Sequence, residues 1–161
     1  MDSVEATLGQ ASAVKRVAEA TKEVMMGCAK FEFSSSGFSI KRTEPSERVM
    51  IEIFVPSDAF DNYDCYCSYD TFFVNLQLDK MLDCLDEAHD DGIISFKAEK
   101  DSDSVTLKFQ EHNKHTFYYF STMDNDNVCL LNTPEEAEYD AIVELPSACF
   151  RTICNHTHSD T

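Results

Sequence analysis

Residues 71–98 read TFFVNLQLDKMLDCLDEAHDDGIISFKA, and their pattern changes from a strand to a helix and back to a strand. Residues 72–76 are predicted to form the first strand. Four apolar residues then recur at the spacing of a helix with one buried face: Leu78, Met81, Leu82 and Leu85. Residues 90–92 are predicted to end this helix, with Gly92 in the left-handed conformation that suits a helix C-terminus. Residues 93–98 return to a strand.

Two further strands are predicted after this stretch, at residues 104–109 and 116–120, which completes a strand–helix–three-strand unit. The same order occurs earlier in the chain. A strand at 4–8 precedes a helix whose predicted buried stripe consists of Val14, Val17, Ala18, Thr21 and Met25. Three alternating strands follow at 29–33, 37–41 and 49–55, and residues 58–69 are expected to add short strands and a turn. Two such units predict one α+β domain with both helices on one face of antiparallel sheets.

A third copy of the unit begins near the end of the chain. Residues 139–145 are predicted to be a strand, and Pro146 and Ser147 to begin a helix that carries Phe150, Ile153 and Cys154 on one face. Residues 121–138 contain acids and no base, which is typical of an exposed linker. We therefore expect an N-terminal domain at 1–120, an acidic linker at 121–138 and an incomplete second domain at 139–161.

The charge balance argues against a generally basic nucleic-acid binder. The 161 residues include 13 Lys and Arg against 30 Asp and Glu, a net charge of −17. The first helix nevertheless carries Lys15, Arg16 and Lys22 away from its apolar stripe. This face is interpreted either as an ordinary solvated helix with a Lys15–Glu19 pair or as a surface that tracks phosphates. No apolar run approaches the roughly 18 residues of a membrane span.

The sequence contains no convincing catalytic or metal site. Cys65 and Cys67 could join Cys154, His156 and His158 in a zinc site, but the spacing does not match the common structural pattern. At the period of a strand, Cys65 and Cys67 are expected on one face. The four glycines form no phosphate loop, and the histidines follow no catalytic signature. We expect reduced cysteines, no enzyme, no metal and no cofactor.

Several stretches in combination resemble the proliferating cell nuclear antigen family of eukaryotic sliding clamps. They are AVKRV at 13–17, EATK at 19–22, SSSGF at 34–38, FDNYDC at 60–65, VNL at 74–76, KMLDC at 80–84, GIISFKAE at 92–99, MDND at 123–126, VELPS at 143–147 and FRTIC at 150–154. The resemblance implies a DNA-clamp fold and a nuclear processivity factor for DNA polymerase. In this family three subunits form a ring around duplex DNA, and replication proteins bind through clamp-binding peptides.

The resemblance also implies roles for individual residues. The DNA-facing set is Lys15, Arg16, Lys22, Lys80 and Arg151. The partner groove and linker are expected to use Met50, Met123, Asp124, Asp126 and Leu130. The edge strand that pairs with another clamp subunit is expected to use Thr116, Tyr118 and Phe120.

Departures from the family pattern leave an alternative open. Asp83 stands at a family lysine position on the second helix. At other positions the family has arginines or residues of the peptide groove, and this chain has different residues there. They are Thr43, Glu47, Asp64, Tyr66, Cys67, Thr152 and Asn155. The late edge strand of a second domain is also missing, so we expect no homotrimeric ring by that route. The alternative is a truncated clamp paralogue that no longer encircles DNA and instead binds or decoys clamp subunits or partners.

Overall fold

A computed structural model describes residues 1–44, 46, 48–124 and 139–158. The chain divides into two compact units, Met1–Leu131 and Asn132–Thr161. The helices and strands of the first unit, in chain order, are β1 Ser3–Leu8, α1 Ala11–Met25, β2 Cys28–Ser34, β3 Gly37–Thr43, β4 Met50–Pro56, a 3₁₀ turn at Ser57–Ala59, β5 Asn62–Tyr66, β6 Thr71–Gln77, α2 Asp79–Glu87, β7 Ile93–Glu99, β8 Ser104–Glu111 and β9 Lys114–Met123.

The nine strands follow the order β4-β3-β2-β6-β9-β8-β7-β1-β5, and the pairs between neighbours are antiparallel. The two copies of the unit exchange strands. Strand β1 pairs with β7, with Val4 opposite Ala98, and β2 pairs with β6, with Phe33 opposite Phe72. Each helix therefore connects a strand of one half of the sheet to a strand of the other. The α+β class and the two-unit organisation are confirmed.

Alternate residues of the strands bury one face of the sheet, called here the inner face. The largest fully buried side chains are Val4, Phe33, Phe72, Leu76 and Val105. Phenylalanines from both halves of the sheet meet at its centre, and the Phe31 and Phe96 rings stack with centroids 5.8 Å apart. Full burial of one such side chain stabilises the fold by about 1.5–3 kcal/mol. Helix α2 buries Met81, Leu82 and Leu85 in the same core, as its spacing predicts.

Two local expectations about the helices are wrong. Val17 belongs to the predicted buried stripe of α1, but it is 46% exposed. The fully buried residues of this helix are Ala11 and Met25, at its two ends. Gly92 does not take a left-handed conformation, because α2 ends earlier, at Glu87, and Ala88 is extended. A turn closed by the Gly92 N–H donating to the His89 carbonyl, 3.0 Å away, then leads into β7.

The second unit contains α3, Ser147–His158, which begins at the predicted position after Pro146. The Pro146 carbonyl accepts a hydrogen bond from the Cys149 N–H at 2.9 Å, which starts the first turn. The predicted strand at 139–145 is wrong, because residues 139–146 have no regular structure and no described strand pairs with them. Strand β9 continues to Met123, into the predicted linker, and residues 125–138 of that linker lie outside the described residues. None of the described helices is long and apolar enough to cross a membrane.

Candidate nucleic-acid interface and partner surfaces

Helices α1 and α2 lie side by side in opposite directions, and together they are called here the helix layer. Two backbone hydrogen bonds fix the start of α1 against the turn that follows α2. The Ala11 N–H donates to the Gly92 carbonyl and the Ser12 N–H to the Asp90 carbonyl, both at 3.0 Å. As a result, basic side chains of α1 lie within reach of acids at the end of α2.

Lys15 spans the two helices. Its Nζ donates to the Ala88 carbonyl at 2.7 Å and to Asp90 Oδ1 at 3.1 Å. Ala88 caps the C-terminus of α2, where the helix dipole favours a cation. The Lys15 side chain is only 25% exposed. The Lys15–Glu19 pair considered from the sequence is therefore replaced by a contact between the two helices.

Lys22 makes a looser pair with the same helix. Its Nζ lies 3.4 Å from Asp86 Oδ2, and the two side chains are 44% and 62% exposed. Arg16 and Lys80 are also exposed, and within the described ranges neither forms an ion pair. The predicted DNA-facing residues of this unit thus separate into two paired and two unpaired cations. Arg151 is exposed on α3, in the second unit.

The two helices of the layer carry net charges of opposite sign. Helix α1 contains three bases and two acids, a net charge of +1, and α2 contains one base and four acids, a net charge of −3. Their sum is −2, against −17 for the whole chain. For 24 residues of 161 this is close to the average charge of the chain, so the attraction for a phosphate backbone lies on the α1 side of the layer.

Met50 and Met123 both lie on the outer face of the sheet, opposite the buried side chains. Met50 pairs with Thr43, and Met123 pairs with Asn75. The Met123 thioether lies 3.3 Å from the Cys28 thiol. Thr43, Met50 and Met123 are terminal residues of their strands, and Asn75 lies two residues before the end of β6. The two predicted groove residues therefore share one face and one end of the sheet.

Cys28 is a groove candidate that sequence reasoning missed. It precedes the buried Ala29 at the start of β2, so strand alternation alone directs it to the outer face. Its Sγ also donates to the Gln77 Oε1 at 3.0 Å. Asp124 is exposed, and Asp126, Leu130 and Glu47 lie outside the described residues.

Strand β9 has an open edge over residues 114–121, called here the β9 edge. Strand β8 pairs with all of these residues, whereas β6 pairs only with Thr122 and Met123. No other described strand covers the second side. Of the predicted edge residues, Tyr118 and Phe120 pack against the core, and the Tyr118 hydroxyl donates to Glu87 Oε2 at 3.0 Å. Thr116 is half-buried, and Phe117 and Tyr119, which the sequence did not single out, are exposed.

The Cys65 and Cys67 thiols do converge on one face, with their Sγ atoms 3.2 Å apart. Burial, followed by the hydrogen bond with Cys67, raises the pKa of the Cys65 thiol to about 12, so this side chain is a neutral thiol near pH 7. Cys154 and His156 belong to the second unit, and among the described side chains no cluster of three or more metal ligands is found.

One comparison with known proteins bears on these surfaces. A family model described as proliferating cell nuclear antigen, N-terminal domain, matches residues 3–130. The match covers most of the chain and spans both copies of the strand–helix–three-strand unit, from the start of β1 to beyond the end of β9.

Proposed function

The chain belongs to the proliferating cell nuclear antigen family through its N-terminal domain, and from this premise we propose that it acts as a sliding-clamp subunit. It is a non-catalytic nuclear scaffold that holds duplex DNA without reading its sequence and recruits DNA polymerase and other replication proteins. The observation that carries this proposal is the match over residues 3–130 to a domain made of two strand–helix–three-strand units.

The DNA contact is assigned to the helix layer. Arg16 and Lys80 are the cations of this layer without an ion pair among the described residues. Lys22 can add to them by leaving Asp86, and Lys15 can attract a phosphate while it stays bound to the Ala88 carbonyl. Arg151, on α3 of the second unit, is proposed as a further phosphate contact. Contacts of this kind go to phosphate oxygens, which fix position and carry no sequence information.

Partner peptides are assigned to the outer face at the sheet end that holds Met50 and Met123, with Cys28 between them and the linker beyond Asp124. Methionine suits this role because its flexible, polarisable side chain adapts to different apolar partners. Asp126 and Leu130 are proposed to complete the groove from the linker. The β9 edge is assigned to pairing with another clamp subunit, because an open strand edge is a template for a further strand.

Salt-dependent binding of the full chain to a fluorescent duplex of mixed sequence tests the DNA assignment. We expect Arg16→Ala and Lys80→Ala each to reduce the slope of log affinity against log salt by about one, since each removes one phosphate contact. Lys97→Ala is the matched control, because Lys97 is exposed on the outer face beside Glu99. An unbound duplex at low salt, or an equal effect of the control, would contradict the assignment.

A further inference from the structure

The end of α2 carries negative charge where a helix disfavours it. Asp86 and Glu87 occupy the last turn, which contains no basic residue, and Asp90 follows in the next turn. The helix dipole makes this end of α2 electronegative, so these carboxylates need partners from outside the helix. Glu87 finds one in the Tyr118 hydroxyl, at 3.0 Å.

The other two acids find their partners on α1. Asp86 Oδ2 lies 3.4 Å from Lys22 Nζ, and Asp90 Oδ1 lies 3.1 Å from Lys15 Nζ. Both lysines belong to the set proposed to face DNA. A phosphate that approaches either lysine therefore competes with a carboxylate that is already in place.

We infer that Asp86 and Asp90 set the affinity of the helix layer for a nucleic-acid phosphate backbone by holding Lys22 and Lys15 in intramolecular pairs. The inference rests on the proposed function. The Asp86 and Asp90 side chains are 62% and 77% exposed, so each pair is screened by solvent and contributes little to stability. A DNA phosphate can displace such a carboxylate from the lysine. The free energy lost in breaking the intramolecular pair then lowers the affinity for DNA.

The two pairs are not equivalent. Lys22 has Asp86 as its one ion-pair partner among the described residues, so removing that carboxylate charge releases the lysine. Lys15 also donates to the Ala88 carbonyl at 2.7 Å and is only 25% exposed. Without the Asp90 charge, Lys15 therefore stays bound to the end of α2. Asp86 is the stronger determinant of the two.

The test compares Asp86→Asn, Asp90→Asn and Asp83→Asn in the full chain, with binding to a fluorescent duplex measured across salt concentrations. Asp83→Asn is the matched control, because Asp83 is exposed on the same helix and has no ion-pair partner among the described residues. Asp86→Asn is expected to tighten binding about threefold at low salt. It is also expected to steepen the salt slope by about one, because Lys22 gains a phosphate. Asp90→Asn is expected to change the slope less.

The Asp83→Asn control distinguishes the release of Lys22 from a general loss of repulsion between α2 and the DNA phosphates. Asp83→Asn removes the same charge from α2, so it is expected to raise affinity without changing the slope. Equal slopes for Asp86→Asn, Asp83→Asn and the wild-type chain would overturn this inference and leave the proposed function standing. Absence of DNA binding by the wild-type chain and all variants would overturn the proposed function and this inference with it. Binding by Asp86→Asn alone would support both.

Discussion

Asp2 shows how one buried carboxylate holds the N-terminus in place. It is 5% exposed, and its Oδ1 accepts a hydrogen bond from the Ser68 N–H at 2.7 Å. Its Oδ2 lies 3.3 Å from Lys100 Nζ. Hydrogen bonds from Ser68, and to a smaller extent the Lys100 contact, lower the pKa of Asp2 below its ordinary value of 3.8. The ionised form is therefore the one that the fold stabilises.

Asp2→Asn is expected to destabilise the chain at neutral pH but not in acid. Because the folded pKa is depressed, the contribution of the carboxylate is fully present above 3.8 and is lost as the pH falls through the folded value. The check is the urea midpoint of wild type and variant over a pH series. Asp101→Asn, at an exposed position, is the control. A deficit that persists unchanged well below pH 3.8 would contradict this account.

Position 27 requires glycine because its backbone conformation and a neighbouring side chain both exclude a Cβ atom. It has a φ of 109°, and a Cβ at this position would collide with the Arg42 guanidinium. That group is anchored, because it donates to the Val24 carbonyl at 3.1 Å and to the Cys28 carbonyl at 2.6 Å. Gly27→Ala is expected to lower the free energy of unfolding by about 1–3 kcal/mol. Gly9→Ala, which would meet only the movable Asp61 side chain, should cost less in the same denaturation experiment.

At the level of elements, Lys15 connects α1 to the end of α2. Lys15→Met keeps the apolar stem but removes the ammonium that bonds to Ala88 and Asp90. We expect a loss of about 1.5 kcal/mol in unfolding free energy, the lower end of the range for one hydrogen bond with a charged donor. Lys80→Met is the control, since Lys80 is exposed and has no ion pair within the described part of the chain. Equal unfolding free energies for the two variants would show that Lys15 does not join the helices.

The elements could be predicted from periodicity, but their pairing could not. Phe72–Leu76 and the α2 stripe follow clear two-residue and helical spacings, and both are confirmed. Periodicity does not show which strands pair with each other, however. The exchange of strands that places Val4 opposite Ala98 could therefore not be predicted from it. Val17 fits the spacing of a buried helical face, but it is exposed. Spacing along a helix does not show which apolar residues another element covers.

The candidate surfaces could be predicted from the sequence only in part, for a related reason. The resemblance selected Lys15, Arg16 and Lys22 by position along one helix. It could not reveal that Lys15 and Lys22 are paired with acids more than 60 residues away in sequence. Cys28 was missed because its contact with Met123 joins strands far apart in the chain. Side-chain partners across elements depend on tertiary packing, which single-sequence patterns do not encode.

At the scale of the whole molecule, the β9 edge is the strand edge that we propose for pairing with another chain. Over residues 114–121 it is paired by β8 on one side, and no described strand lies on the other. Phe117 and Tyr119 are 51% and 69% exposed along this strand. An open edge with exposed aromatic side chains and few charges favours strand pairing with a partner.

Phe117→Lys combined with Tyr119→Lys is expected to weaken assembly through the β9 edge. Charged side chains on an edge strand disfavour pairing because a partner strand would have to desolvate them. Light scattering over a range of concentrations, for the chain alone and mixed with a complete clamp of the same family, measures the effect. The wild-type chain should associate, and the variant should shift towards monomer at the same concentration. Tyr69→Lys adds a charge at a 77% exposed aromatic outside any strand and should leave assembly unchanged. A wild-type chain that stays monomeric alone and in the mixture would exclude the β9 edge as a subunit interface.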